Sequence, residues 1–168
     1  MLIRRETADI DAVHAAAFAR PGVGAEAPEV ELVRRLRADV GWVPALSMVA
    51  EEYGGAVIGH VVCTVGSLGP AAALGLGPLG VLPAWQRSGV GQSLMHAVLG
   101  ASDALGFPVV VLLGSLDYYS RFGFVAARRI GVIAPNSAWQ DHFQCRRLHA
   151  WDPALGGVFR YAAPFDEL

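Results

Sequence analysis

Two glycines one residue apart separate a predicted strand from a predicted helix. Residues Val81–Met95 read VLPAWQRSGVGQSLM, with Gly89 and Gly91 just ahead of the helix-like stretch. Glycines without side chains let a ligand approach the backbone closely, and the free N–H groups at a helix start favour a phosphate or pyrophosphate. Arg87 could add a charge-assisted contact. The stretch predicts an anion site, although a tight turn that needs glycine for backbone reasons alone stays open.

Two other glycine motifs for phosphate binding fit the sequence less well. A G-x-G-x-x-G pattern occurs at Gly75, Gly77 and Gly80, but it lies inside an apolar run containing Pro78 and opens no helix. Dinucleotide binding is therefore not expected from it. The nucleotide P-loop is not expected either, because the sequence has no Gly-Lys-Ser or Gly-Lys-Thr.

A metal site near the C-terminus is a weak alternative. His142, Cys145 and His149 would align on a helix, but the segment reads as a strand, where His142 points away from the other two. No second Cys/His pair completes four ligands. No metal is predicted.

Short apolar runs around the glycines predict the elements that hold them. LSMVAEE and AVIGHVVCTV, separated by Tyr53-Gly54-Gly55, read as an antiparallel hairpin, and a further strand covers about Ala72 to Val81. Apolar residues at helical spacing follow the glycines and end near Gly106, and VVVLL then reads as a strand buried on both faces. Strand, helix and strand predict a right-handed crossover between parallel neighbours.

The remaining segments complete a chain of alternating helices and strands. Near the start, Ile10 to Phe18 has helical periodicity with Thr7 as its N-cap, and a second helix covers about Glu29 to Arg37. Asp117 is predicted to cap a short helix that stops at Gly123. QCRRLHAW and GVFRYAAPF read as further strands.

Composition limits the class of protein. The 168 residues are 54% hydrophobic and 17% charged, with a net charge of −2. This predicts one domain over residues 1–168, with no basic surface for nucleic acid or an anionic membrane. The uncharged stretch from Tyr53 to Gln86 is interrupted by glycine and proline, unlike a membrane helix. Cys63 and Cys145 fit free thiols, and charges near the N-terminus leave no signal-peptide core, so a cytoplasmic protein is expected.

Two ordered blocks resemble the GNAT superfamily of N-acyltransferases. V-L-P-x-x-Q-R-x-G-V-G-x-x-L from Val81 to Leu94 is similar to that family's acyl-CoA signature, and VVLLGSLDYYSRFGF resembles its strand, short helix and Tyr-x-x-x-Gly-Phe ending. The likeness also extends to a bacterial subgroup of N-acetyltransferases. It implies an α/β fold with a mixed central sheet of about six to seven strands. That sheet is splayed between two parallel central strands and has helices on both faces.

The resemblance also implies an activity and its residues. The chain would transfer an acyl group, most simply acetyl from acetyl-CoA, to a primary amine of a small molecule or peptide. Tyr119 takes the position of the general acid, with Tyr118 as its substitute; on residue type alone both would be packing residues. Backbone groups of Leu79, Gly80 and Val81 would meet the pantetheine arm and thioester, and the pyrophosphate would bind the backbone of Arg87, Ser88, Gly89, Val90, Gly91 and Gln92.

The general base is not evident from the sequence. Many relatives carry an acid on the strand before the glycines, but Ala72 to Val81 has none. His60, Glu26, Glu31 and water remain as candidates, and a histidine in an apolar strand is more often a hydrogen-bonded core residue. The missing acid also leaves open a catalytically inactive acyl-CoA sensor. A homodimer is open as well, since C-terminal strands could pair between two copies.

Overall fold

A mixed sheet of nine strands forms the centre of the computed structural model, which describes residues 1–7, 10–20 and 27–167. Seven strands lie side by side in the order β1-β2-β3-β4-β5-β8-β6, and β9 pairs with both β3 and β7. The strands are β1 Leu2–Arg5, β2 Trp42–Glu51, β3 Val57–Leu68, β4 Ala71–Val81, β5 Val109–Leu113, β6 Val125–Ala126, β7 Val132–Ile133, β8 Phe143–Arg147 and β9 Gly157–Arg160. The predicted α/β fold with a mixed sheet is confirmed.

Helices cover both faces of this sheet. They are α1 Asp11–Ala17, α2 Pro28–Ala38, α3 Val90–Ala104 and α4 Leu116–Tyr119. Gly59 of β3 lies against Val90 and Leu94 of α3, whereas Gly80 of β4 lies against His14 of α1. Gly59 precedes His60, which pairs with Gly80, so the two glycines face opposite sides of the sheet. A glycine on each side thus lets one helix pack close to the strands.

The predicted crossover is present. β4 and β5 are parallel neighbours joined through α3, and most of β5 is buried. The β2–β3 hairpin also forms as predicted. Two helix caps were predicted wrongly. Thr7 does not cap α1, because the N-cap is Ile10 and Thr7 accepts a hydrogen bond from Arg4. Asp117 does not cap α4, because the N-cap is Ser115. The C-terminal YAAPF is a strand only in the prediction, because a 3₁₀ turn occupies Ala163–Glu167.

β4 and β5 separate along half of their length. Their parallel pairing covers Leu74 with Val110 and Gly75 with Val111. On the other edge of β4, Gly77 and Pro78 stand opposite a single residue of β3, which makes a bulge. Proline has no N–H to donate to a ladder, so a break at this point is physically expected. Beyond the break, the backbone of β4 faces an opening between the two strands.

Candidate active site

The segment between β4 and α3 is an exposed loop with an unusual backbone. A 3₁₀ turn at Pro83–Trp85 leads into Gln86, whose side-chain amide donates to the Val81 carbonyl at 3.1 Å. Arg87 and Gly89 then adopt positive φ angles of 59° and 90°. Residues 83–89 are all exposed. The loop therefore turns sharply at the end of β4 and presents its backbone to solvent.

The loop ends at the N-terminus of α3. Gly89 is the N-cap, and the first hydrogen bond to its carbonyl comes from the Ser93 N–H at 2.9 Å. The N–H groups of Val90, Gly91 and Gln92 precede the intrahelical ladder and have no partner within the helix. A Cβ atom at Gly89 would meet open space, so the backbone is approachable there. These features fit the pyrophosphate of acetyl-CoA, which the sequence predicted for residues 87–92.

The two adjacent tyrosines point to different places. A Cβ atom at Gly91 would lie 2.9 Å from the Tyr118 hydroxyl oxygen, which puts Tyr118 beside the start of α3. The Arg121 guanidinium carbon lies 5.0 Å from the centre of the Tyr118 ring. Tyr119 instead packs its ring against Gly114, where a Cβ atom would lie 2.4 Å from the ring. Only Tyr119 of the pair lines the neighbouring cavity.

The Tyr119 cavity occupies the opening between β4 and β5. It has a volume of about 460 Å³ and reaches Pro78 and Leu79 on β4 and Leu113 at the end of β5. Burial, with Tyr118 adding to the effect, raises the pKa of Tyr119 to about 12. Tyr119 therefore keeps its proton at neutral pH.

Aromatic side chains from distant parts of the chain form the other wall of the cavity. They are Phe18, Trp139, Tyr161 and Phe165. The Tyr161 ring packs against Gly75, where a Cβ atom would lie 2.6 Å away. Gly80 lies against His14, so two of the three G-x-G-x-x-G glycines have a packing role that needs no nucleotide.

One charged residue lines the cavity among the described part of the chain, and the sequence did not single it out. Glu29 lies in the first turn of α2, and its Oε2 atom is buried without a hydrogen-bond partner among the described residues. The only relevant feature of the sequence is that Glu29 follows Pro28, because proline is common in the first turn of a helix. Nothing in the local sequence indicates that this turn faces β4.

Two of the predicted candidates for a general base, His60 and Glu31, do not line this cavity. His60 is fully buried, and Glu31 is an exposed partner of Arg34 and Arg35. Glu26 lies outside the described residues. None of the three is among the described residues that line the cavity.

His60 belongs to a buried hydrogen-bonded chain on the α1 side of the sheet. His14 Nε2 and His60 Nδ1 are 2.8 Å apart. The other ring nitrogen, His60 Nε2, lies 2.8 Å from the Ser47 hydroxyl and 3.2 Å from the Glu6 carboxylate. Glu6 in turn accepts hydrogen bonds from Ser47 and Arg37. The carboxylate favours the proton on His60 Nε2, so His60 Nδ1 accepts from His14. His14 Nδ1 then carries a lone pair toward Gly80 and has no partner among the described residues.

Burial determines the protonation of this chain. It lowers the pKa of His14 to about 3, with the charges of His60 and Arg37 acting in the same direction. Burial also lowers the pKa of His60. The hydrogen bond and the charge of Glu6 raise this pKa, but by less. Burial raises the pKa of Glu6, but hydrogen bonds from His60 and Ser47 and the charge of Arg37 outweigh it, so the pKa is low. At neutral pH two neutral imidazoles therefore adjoin one carboxylate.

The described residues contain neither a cluster of metal ligands nor a helix that could span a membrane. No group of three or more His, Cys, Asp and Glu there could hold a metal ion, and Cys63 and Cys145 are buried free thiols. No helix in the same part of the chain is long and apolar enough to cross a bilayer.

Comparisons with known proteins identify the family of this chain. A family model described as an acetyltransferase (GNAT) domain matches residues 44–126. The chain is 35% identical over 160 residues to the Escherichia coli N-acetyltransferase YhbS, covering 94% of this chain and 92% of that protein. A crystal structure of the Escherichia coli YhbS in complex with CoA has a TM-score of 0.83 at 30% identity, covering 98% of this chain and 91% of that one.

A second solved structure is similar over nearly the whole chain. It is a GNAT family acetyltransferase from Brucella melitensis in complex with acetyl-CoA, with a TM-score of 0.74 and 37% identity. The match covers 98% of this chain and 97% of that one.

Proposed function

Because the chain belongs to the GNAT family and is an N-acetyltransferase, we propose that it transfers acetyl from acetyl-CoA directly to a primary amine of a small molecule or peptide. Tyr119 is the general acid of this reaction. The backbone of Leu79, Gly80 and Val81 binds the pantetheine arm and the thioester carbonyl. The pyrophosphate binds the loop and helix start at residues 87–92.

The reaction balances with one proton donor. The neutral amine nitrogen attacks the thioester carbonyl carbon, a C–N bond forms, and an electron pair moves to the carbonyl oxygen. Backbone N–H groups beside the β4 break stabilise that oxyanion. When the C–S bond breaks, the sulfur takes the Tyr119 hydroxyl proton. The proton that the nitrogen loses returns through water to the tyrosine oxygen, so the enzyme is regenerated.

One observation carries the proposal: Leu79 of β4 and Tyr119 line the same cavity between the separated strands. A thioester bound along the free edge of β4 would thus lie beside a phenol that is protonated at neutral pH. The exposed glycine loop continues from the same edge of β4 toward α3. A single elongated ligand could therefore contact all three features.

The proposal is tested by binding and turnover measured separately. Isothermal titration should show binding of acetyl-CoA and CoA, and either should outcompete ATP and NAD in a thermal-shift assay. With a panel of primary amines, thiol release should depend on the amine. Binding of CoA without transfer to any amine would indicate an acyl-CoA sensor, and an absence of CoA binding would overturn both functions.

A further inference from the structure

The acceptor side of the Tyr119 cavity combines one carboxylate with aromatic walls. Glu29 lies at one edge, and Phe18, Trp139, Tyr161 and Phe165 surround the remaining space. The Trp139 and Tyr161 rings pack edge to face with 6.4 Å between their centres, and the Tyr161 and Phe165 rings are tilted with centres 4.8 Å apart. Such rings attract a cation over their faces and pack against an apolar body. The chemistry of the wall thus suits a molecule with a positive head and an apolar body.

Glu29 lacks the partner that a buried carboxylate oxygen normally has. Its Oε2 atom is buried without a hydrogen bond among the described residues. The arginines of α2 bind elsewhere: Arg34 contacts Asp11, Arg35 contacts Glu31, and Arg37 contacts Glu6. A buried polar atom without a partner costs free energy unless something else satisfies it. Because this oxygen has almost no accessible surface, the Glu29 side chain, which lines the cavity, must turn slightly before an ammonium group there can donate a hydrogen bond to it.

We propose that Glu29 binds the ammonium group of the acceptor and that the aromatic wall selects an acceptor with an apolar or aryl body and no carboxylate beside the amine. This inference rests on the proposed acetyl transfer, for which the bound ammonium group first releases one proton to water, so that the neutral amine attacks the thioester. The acceptor class is a simple arylalkyl or alkyl amine. An amino acid that carries a carboxylate beside its amine is disfavoured, because its second charge would face Glu29 in an otherwise apolar cavity.

The test compares 2-phenylethylamine with phenylalanine, which adds a carboxylate, and with ethanolamine, which lacks the aryl body. Steady-state thiol release at saturating acetyl-CoA should give 2-phenylethylamine a kcat/KM at least about tenfold above either of the others. Equal use of phenylalanine would overturn the inference. So would equal use of ethanolamine.

Two variants on α2 separate binding from structure. Glu29→Gln should raise the KM for 2-phenylethylamine about 10- to 100-fold, the usual value of a charge-assisted hydrogen bond, with a smaller change in kcat. The same variant should also have a smaller ratio between the kcat/KM for 2-phenylethylamine and that for phenylalanine. Glu31 lies two residues further along α2 and is exposed, so the kinetics of Glu31→Gln should match the wild type. An unchanged KM in Glu29→Gln would leave Glu29 a purely structural role.

Amine binding to the CoA complex gives a readout that does not need turnover. Titration of 2-phenylethylamine should show binding that weakens in Glu29→Gln and not in Glu31→Gln. If this binding pattern is found but no amine is acetylated, the inferred amine site is supported and the proposed acetyl transfer is contradicted. If amines are acetylated without dependence on Glu29, transfer stands and this inference fails. If 2-phenylethylamine is neither bound nor acetylated, the inference is overturned.

Discussion

Tyr118 and Tyr119 are neighbours in the chain, yet their side chains serve different surfaces. The Tyr118 hydroxyl lies over Gly91 at the start of α3, and the Tyr119 ring packs on Gly114 and lines the cavity. Glycine at position 114 is required sterically, because any side chain there would overlap the Tyr119 ring. The proposed acid is thus fixed by packing before any substrate binds, as a general acid requires.

Replacing Tyr119 with phenylalanine should reduce kcat about 100-fold or more, because the departing thiolate loses its proton donor. The KM for acetyl-CoA should change little, since the ring and its packing remain. Tyr118→Phe serves as the comparison and should reduce kcat far less. Stopped-flow or steady-state thiol release measures both. Equal losses in the two variants would remove the distinction between the tyrosines.

A second group of residues makes stability depend on pH. His14 and His60 are buried as neutral imidazoles, with His60 in contact with Glu6 and His14 in contact with His60. The pKa of His14 is lowered from 6.5 to about 3, so below pH 6.5 the unfolded chain binds a proton that the folded chain does not. The resulting loss of stability begins near pH 6.5 and grows as the pH falls toward 3. The lowered pKa of Glu6 adds a loss below pH 4.5.

The free energy of unfolding should therefore fall by about 1.4 kcal/mol per pH unit between pH 6 and pH 5 for His14, and the lowered pKa of His60 should add a loss of the same sign. Urea titrations across this range measure it. The His14→Leu variant, although less stable at neutral pH, should show a shallower slope because one titrating group is gone. An identical slope in variant and wild type would contradict this assignment.

At the scale of elements, the loop between β4 and α3 depends on backbone angles that most residues avoid. Arg87 has a φ of 59° and Gly89 has a φ of 90°. A β-carbon at Gly89 would meet no neighbouring atom, so the requirement at this position is conformational and not steric. The angle orients the first amides of α3 toward the end of β4.

Gly89→Ala should weaken acetyl-CoA binding about tenfold, because alanine disfavours a positive φ and the loop must shift to relieve it. Gly100→Ala is the matched control on the same helix. Gly100 is exposed and helical, and a Cβ atom there would meet nothing. That variant should keep the affinity and gain about 0.5–1 kcal/mol of stability. Calorimetric titration and urea unfolding measure the two effects, and equal affinities in both variants would contradict the role of Gly89.

Local sequence predicts the elements around the donor site and not those around the acceptor. Turn residues and apolar periodicity predict the β2–β3 hairpin, β4, α3 and β5. Each of these sequence features lies within or next to the element that it predicts. Glu29 lines the same cavity as Tyr161 and Trp139 only because α2 packs against the C-terminal turn. No periodicity encodes such long-range contacts. The short turn at Ala163–Glu167 was predicted as strand because its apolar residues pack on other elements, a context that propensity does not contain.

For the whole molecule, the opening between β4 and β5 divides one sheet into two parts. The pairs Leu74–Val110 and Gly75–Val111 join the parts through their parallel strands. On one side lie β1 to β4 with α1, α2 and α3, and on the other β5 pairs with β8. A ligand along the edge of β4 would add hydrogen bonds where the sheet has none. Its stabilising effect should therefore be local to the opening.

Hydrogen exchange at short times should show that the ligand stabilises only the region around this opening, because such exchange reports local opening and not global unfolding. Saturating acetyl-CoA should slow exchange at Leu76–Val81 and in the first turn of α3, where backbone amides gain acceptors. The edge strand at Leu2–Arg5 lies three strands from β4 in the sheet order and should exchange at an unchanged rate. In Gly89→Ala, at the same ligand concentration, protection of the helix start should decrease more than protection of β4, since the loop is displaced and the strand is not. Protection that is equal across the whole sheet would mean that the ligand does not bind along β4.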